Sequence, residues 1–168
     1  MSISMYQVAV PVFLRALTNL QHVLKLGQAH AKEKNVEDSV LLQTRLIPDM
    51  LPLVRQVQIA TDMAKNGAAR LAGVDPLKFE DNETSFEELY NRIERATDYI
   101  KSFKPEQIDG SETRAVTIKS RNGDINFEGQ AYLLHFIIPN LFFHCTTAYD
   151  ILRKSGTNIG KQDFTGKP

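Results

Sequence analysis

The stretch Leu133 to Gly156, LLHFIIPNLFFHCTTAYDILRKSG, is apolar almost all the way round a helix. A helix with so wide an apolar perimeter does not sit on the surface of a small soluble protein. It belongs in the middle of a bundle, with neighbours on several sides. Asn140 and His144 lie four apart within it, so their side chains share one helical face. At about 100° per residue that face also carries Leu133, Ile137 and Ile151, the core-facing stripe. Two hydrogen-bonding side chains stacked there form either a site or a polar network of the core.

Three further segments supply neighbours. From Ser4 to Lys34, Phe13, Leu17, Leu20, Leu24, Gly27 and Ala31 recur at steps of four and three, the period of one helical stripe. Pro11 should bend that helix or delay its start. Val40-Leu41-Leu42, in the connection Asn35 to Ile47, is too brief to classify. A second helix is expected from Pro48-Asp49, with Asp49 serving its N-terminal dipole and Pro52 in its first turn. Its stripe is Leu53, Val57, Ala60, Ala64, Ala68 and Leu71, whose small residues allow close approach, and Gly73 ends it. Ser85-Phe86-Glu87-Glu88 reads as a capping box opening a third helix to about Ser102, with Leu89, Ile93, Ala96 and Ile100 facing inward. Between Thr113 and Phe127 the period changes to two, around Asn122-Gly123, which predicts an exposed hairpin with a type I′ turn.

The fourth helix then spans about Gly129 to Ser155, with a kink near Pro139, whose ring crowds the His135 carbonyl and cannot donate to it. The fold class is all-α: a four-helix bundle with a small β-hairpin before the last helix, in one domain over residues 1–168. Leu134, Ile138, Leu141 and Cys145 form a second apolar stripe on the last helix, beyond what three neighbours need. A homodimer through that helix accounts for it.

Charge excludes some roles. Lys+Arg and Asp+Glu both number 20, so no overall field draws the chain to nucleic acid or to an anionic membrane. The apolar run Leu133 to Cys145 is too short and too interrupted to span a bilayer. No leader is expected at Met1 to Gln7. A single cysteine, Cys145, suits a reducing cytoplasm.

Among the side chains that could carry chemistry, His144 leads as a general base or metal ligand, with Asn140 beside it. Thr147 shares their face and could donate a hydroxyl, or bond to its own helix. His22 faces away from the apolar stripe, His30 sits at a helix end, and His135 lies about 180° round the helix from His144. Cys145 points about 100° away from His144 and reads as a packed, inert thiol. Arg55 and Asp62 read as solvated or ion-paired.

Asn140-x3-His144, Ala148 to Arg153 and Gly156-x3-Gly160-x2-Asp163-Phe164 resemble the last helix and tail of DinB/YfiT-like proteins. The run Arg45-Leu46-x-Pro48-Asp49-Met50-x-Pro52-Leu53-x-Arg55-Gln56-Val57-Gln58, with Tyr132-Leu133-Leu134-x-Phe136-x2-Pro139-Asn140, resembles one subfamily of uncharacterised function. The resemblance covers nearly the whole chain. It implies a divalent metal (zinc, nickel or manganese) held by a His-x3-His pair on the fourth helix and one histidine from the second. Here Asn140 stands at the first position of the pair and Gln56 at the second-helix position, so His144 is the matching ligand. Gln58 takes that place if the register slips.

Amide oxygens are poor ligands for such metals. The expected function is therefore a degenerate DinB-like cleft in which Gln56, Asn140, His144 and Thr147 bind a small polar ligand. The resemblance also implies an alternative, a divalent-metal-dependent hydrolase or thiol-dependent transferase. A structural homodimeric interaction protein is the remaining reading.

Overall fold

The computed structural model describes residues 3–120 and 123–167. Four long helices make the bundle: α1 (Met5–Glu33), α3 (Leu53–Leu71), α4 (Phe86–Lys101) and α7 (Ile138–Lys154). α3 packs on both α7 and α4, and α1 closes the bundle against all three. One-turn helices α2 (Asp38–Leu42), α5 (Pro105–Ile108) and α8 (Lys161–Thr165) lie in the connections, and α6 (Gly129–Ala131) leads into the last long helix.

α1 starts at a capping box in which the Gln7 N–H donates to Ser4 Oγ and the Ser4 N–H donates to Gln7 Oε1. It runs unbroken through Pro11, which neither delays it nor stops it. Pro11 and Gln7 are both exposed, so water can serve the carbonyl that lacks a helical donor. All six stripe residues from Phe13 to Ala31 are buried.

The second long helix starts later than Pro48-Asp49, with Pro52 as its N-cap. A residue preceding proline is pushed out of the helical region, so Ile47 and Leu51 hold residues 43–52 in an open loop. Asp49 is exposed in that loop, and no acid occupies the first turn of α3. Other groups tie the loop down. Lys154 Nζ donates to the Arg45 and Leu46 carbonyls at 3.1 and 2.8 Å, and the Leu53 N–H donates to Thr44 at 3.0 Å.

Small residues let α3 sit deep in the bundle. A Cβ at Gly67 would lie 2.9 Å from Ile137 Cγ2 and 3.2 Å from the Phe13 ring. Gly73 follows the helix at φ +75°, the left-handed end that glycine accepts.

The Ser85–Glu88 capping box opens α4 as expected, and Leu89, Ile93, Ala96 and Ile100 are buried. Strands β1 (Ala115–Ile118) and β2 (Ile125–Glu128) pair antiparallel with Val116 opposite Phe127. Asn122 of the expected turn lies outside the described residues; the Gly123 N–H donates to Ser120 O at 3.2 Å. Phe127 packs on Tyr132 and Phe136, which fixes the hairpin over the start of the last helix.

That last helix is not simply kinked at Pro139. Residues Tyr132–Ile137 form a π-helical segment, in which the Ile138 N–H reaches the Leu133 carbonyl. Widening the turn just ahead of Pro139 accommodates a ring that cannot donate. Leu133, Ile137 and Ile151 are buried, as are Leu141 and Cys145 of the second stripe. Leu134 is 40%, Phe142 37% and Phe143 54% exposed.

Candidate functional site

α3 and α7 bring Gln56 and His144 together at their seam. Gln56 is 1% exposed, and its amide is held at both ends. Its Nε2 donates to the Leu51 carbonyl at 2.9 Å, and its Oε1 lies 2.7 Å from His144 Nδ1. The prolines at 48 and 52 matter here. By keeping Leu51 out of the helix they free its carbonyl for a side chain inside the first turn of α3. His144 is half-buried, and its ring meets the edge of Phe143 at 5.2 Å between centroids. Burial pushes the imidazole below its ordinary pKa.

Asn140 sits one turn before His144 but spends its amide differently. Its Nδ2 donates to the Phe136 carbonyl of its own helix at 2.6 Å. Pro139 cannot donate to the carbonyl one turn earlier, and the polar side chain beside it serves the π-helical segment instead. Thr147 is also turned to its own backbone, donating to Phe143 O at 2.8 Å. Of the four sequence candidates, then, Gln56 and His144 meet, while Asn140 and Thr147 bond locally on α7.

Gln58, two residues on, belongs to another network. It accepts from Arg55 Nη1 at 2.6 Å and donates to Glu83 at 2.7 Å. His22 is exposed and pairs with Asp163 at 3.2 Å, and His135 is exposed. Cys145 is buried, which pushes its thiol up to about 12 and leaves it unreactive as a nucleophile at neutral pH. Hollows of about 80 to 570 Å³ on the molecule are lined by residues other than Gln56, Asn140, His144 and Thr147.

The residues at this seam do not fit the divalent metal that the resemblance implies. His144 Nδ1 and Gln56 Oε1 consume each other, and Asn140 gives its Nδ2 to the backbone, which leaves one imidazole nitrogen and one neutral amide oxygen. Zinc and nickel sites take three or four imidazole, thiolate or carboxylate donors. Among the described residues no group of three or more His, Cys, Asp or Glu side chains could hold a metal ion.

Sequence reasoning missed a second polar assembly. Arg92 is 1% exposed between α3 and α4. Its guanidinium meets Asp62 and Asp81 at 3.0 Å and Glu83 at 2.9 Å, and it also donates to Thr61 Oγ1 and the Glu80 carbonyl. Lys65, beside it, is 2% exposed, and burial lowers its pKa against the pull of Asp62. Arg92 stands three residues after Leu89 and four before Ala96, on the inward face. That spacing was the available signal. The assembly pins residues 74–84 onto the bundle, and Phe79 packs over Lys65, Arg92 and Arg95. Each carboxylate there meets a cation, so it reads as a fastening.

Fold and seam together define a four-helix-bundle protein whose polar pair joins the second and last long helices. The chain belongs to the family described as "Domain of unknown function (DUF1993)", which matches residues 5–165. It belongs with the DinB family as well: a crystal structure of a DinB family member from Shewanella denitrificans is 37% identical to it. That likeness covers 97% of this chain and 92% of the other, with a TM-score of 0.89. No curated protein matches the chain. Among the described residues no helix is long and apolar enough to cross a membrane.

Proposed function

We propose that the chain is a DinB-family bundle whose metal position has become a degenerate cleft for a small polar ligand. Gln56 and His144 form its base, Asn140 stands one turn away, and Thr147 lies on the same face. The observation that carries this reading is the 2.7 Å Gln56–His144 contact, made where the family resemblance places two of three metal ligands. Exposed apolar side chains adjoin that pair: Phe143 packs on His144, and Leu51 lends its carbonyl to Gln56. A few converging polar atoms among apolar side chains suit ligand recognition.

Thermal melting against a panel of sugars, nucleosides, polyols and amino-acid amides tests it. A bound compound at about a hundred times its dissociation constant should add about 2.7 kcal/mol. The stabilisation should vanish in His144→Ala and weaken in Gln56→Leu. A panel without stabilising compounds, or stabilisation indifferent to both changes, contradicts the reading.

We also propose a homodimer through the last helix, supported by the exposure of Leu134, Phe142 and Phe143 along it. Light scattering should give twice the chain mass at micromolar concentration, falling to the monomer in Phe142→Glu. A monomeric wild type contradicts it. A reducing cytoplasm is the compartment that suits the free, buried Cys145.

A further inference from the structure

The hydrogen bonds around Gln56 determine which imidazole nitrogen of His144 carries the proton, and with it the chemistry of the ligand. The Leu51 carbonyl can only accept, so the Gln56 atom 2.9 Å from it is the amide nitrogen. The Gln56 atom facing His144 is therefore the amide oxygen, which also can only accept. His144 Nδ1, 2.7 Å away, must then be the donor. A neutral imidazole that carries its proton on Nδ1 has a bare lone pair on Nε2. No described residue lies within hydrogen-bond reach of Nε2 as a partner. Asn140 points the same way: its Nδ2 is bonded to Phe136 O, and its Oδ1 has no donor among the described residues.

From this we infer that His144 Nε2 is a fixed hydrogen-bond acceptor, and that the cleft takes a neutral ligand presenting O–H, S–H or N–H donors. Asn140 Oδ1, one turn along the same face, is the second acceptor. Carboxylate and sulfate groups, which only accept at neutral pH, would meet a lone pair and are refused. Gln56 thus acts as a positioning residue. It orients the ring and selects the tautomer, as an outer partner does for a ligating or catalytic histidine. Its amide oxygen carries no charge, so it does not hold a second proton on the imidazole as a carboxylate would. This inference rests on the reading of the seam as a ligand cleft, and it names the class of ligand.

Long-range ¹⁵N–¹H NMR of the imidazoles in the full chain, near neutral pH, separates the two. Wild type should show His144 with a protonated Nδ1 and a bare Nε2. In Gln56→Leu the ring should move toward the Nε2–H form that a free histidine side chain prefers. A wild-type His144 protonated on Nε2 overturns the inference and leaves the cleft reading standing. The same spectra are then followed with 2-mercaptoethanol, which carries both a hydroxyl and a thiol, and with acetate and sulfate. A saturable shift of Nε2 with 2-mercaptoethanol and none with either anion supports the proposal. A saturable shift with an anion overturns it. A bare Nε2 that responds to none of the three overturns the cleft reading itself, whereas the tautomer assignment survives.

Discussion

Gln56 and His144, 88 positions apart in the chain, are joined across 2.7 Å by the hydrogen bond that links α3 to α7. The two helices share this polar contact, and its donor and acceptor roles are fixed by the Leu51 carbonyl behind it.

Replacing Gln56 with leucine should expose how much that contact contributes. The substitution strands the His144 Nδ1–H and frees the Leu51 carbonyl. An unmet buried partner costs about 1 to 3 kcal/mol, and half-burial of His144 places the loss near the lower figure. Urea denaturation should show it as a lower midpoint at unchanged slope. Gln56→Leu combined with His144→Phe should recover part of the loss, because both partners are then apolar. Strict additivity of the two changes would mean that the pair is not coupled.

The burial of His144 carries a pH signature. Its imidazole in the fold lies below the ordinary value of 6.5, which the unfolded chain retains. Between those two values the unfolded state binds more protons, so stability rises with pH. Stability should therefore fall as pH drops through 6.5 and level off below the folded value. Urea midpoints between about pH 5 and 8 should show that slope in wild type and a flatter one in His144→Gln. The Glu88 carboxylate, held below its usual range first by the Thr84 N–H, titrates below this window. Equal slopes in the two proteins would show that the imidazole is not desolvated.

Arg92 is the position where a single change should damage the fold most. Arg92→Met keeps much of the buried volume but removes the partner of Glu83, which is nearly buried, and of Asp62 and Asp81, which are not. Breaking a buried pair from one side costs about 3 to 5 kcal/mol, and the two wetter carboxylates bring the expected loss to about 3. Limited proteolysis should then cut within residues 74–84 before the helices. A variant as stable as wild type, with that segment still protected, would show that the guanidinium does not fasten it.

Much of the bundle was legible because its information is local. The stripes of α1, α3 and α4 follow the helical period, and Ser85-x-x-Glu88 and Gly73 mark ends through bonds within a few residues. Other features depended on competition that a pattern does not show. Residues 43–52 stay open because two prolines outweigh a stripe that would otherwise extend backward. α2, α5 and α8 are single turns, too short for periodicity to register. The π-helical segment is a response to Pro139 that propagates toward the N-terminus of the helix, whereas a kink at the proline was the simpler expectation.

The candidate site divides along the same line. That Gln56 would stand opposite His144 came from the family resemblance, which puts it at the second-helix ligand position, and the Leu53–Val57 stripe favoured it over Gln58. Whether Asn140 would turn to His144 or to its own backbone was not legible, since both partners lie one turn away. The carbonyl of Phe136, in a widened turn, is the one it takes. Arg92 was overlooked because an arginine among acids on an amphipathic helix usually marks its wet side. Here residues 74–84 fold back and bury it.

The central claim, that this seam is a polar acceptor site and not a metal centre, is most directly tested by titrating the full chain with zinc while following thermal unfolding. Wild type should show no saturable rise in melting temperature, and it should behave like His144→Ala throughout. A rise that saturates at one equivalent and is abolished by His144→Ala would contradict the account.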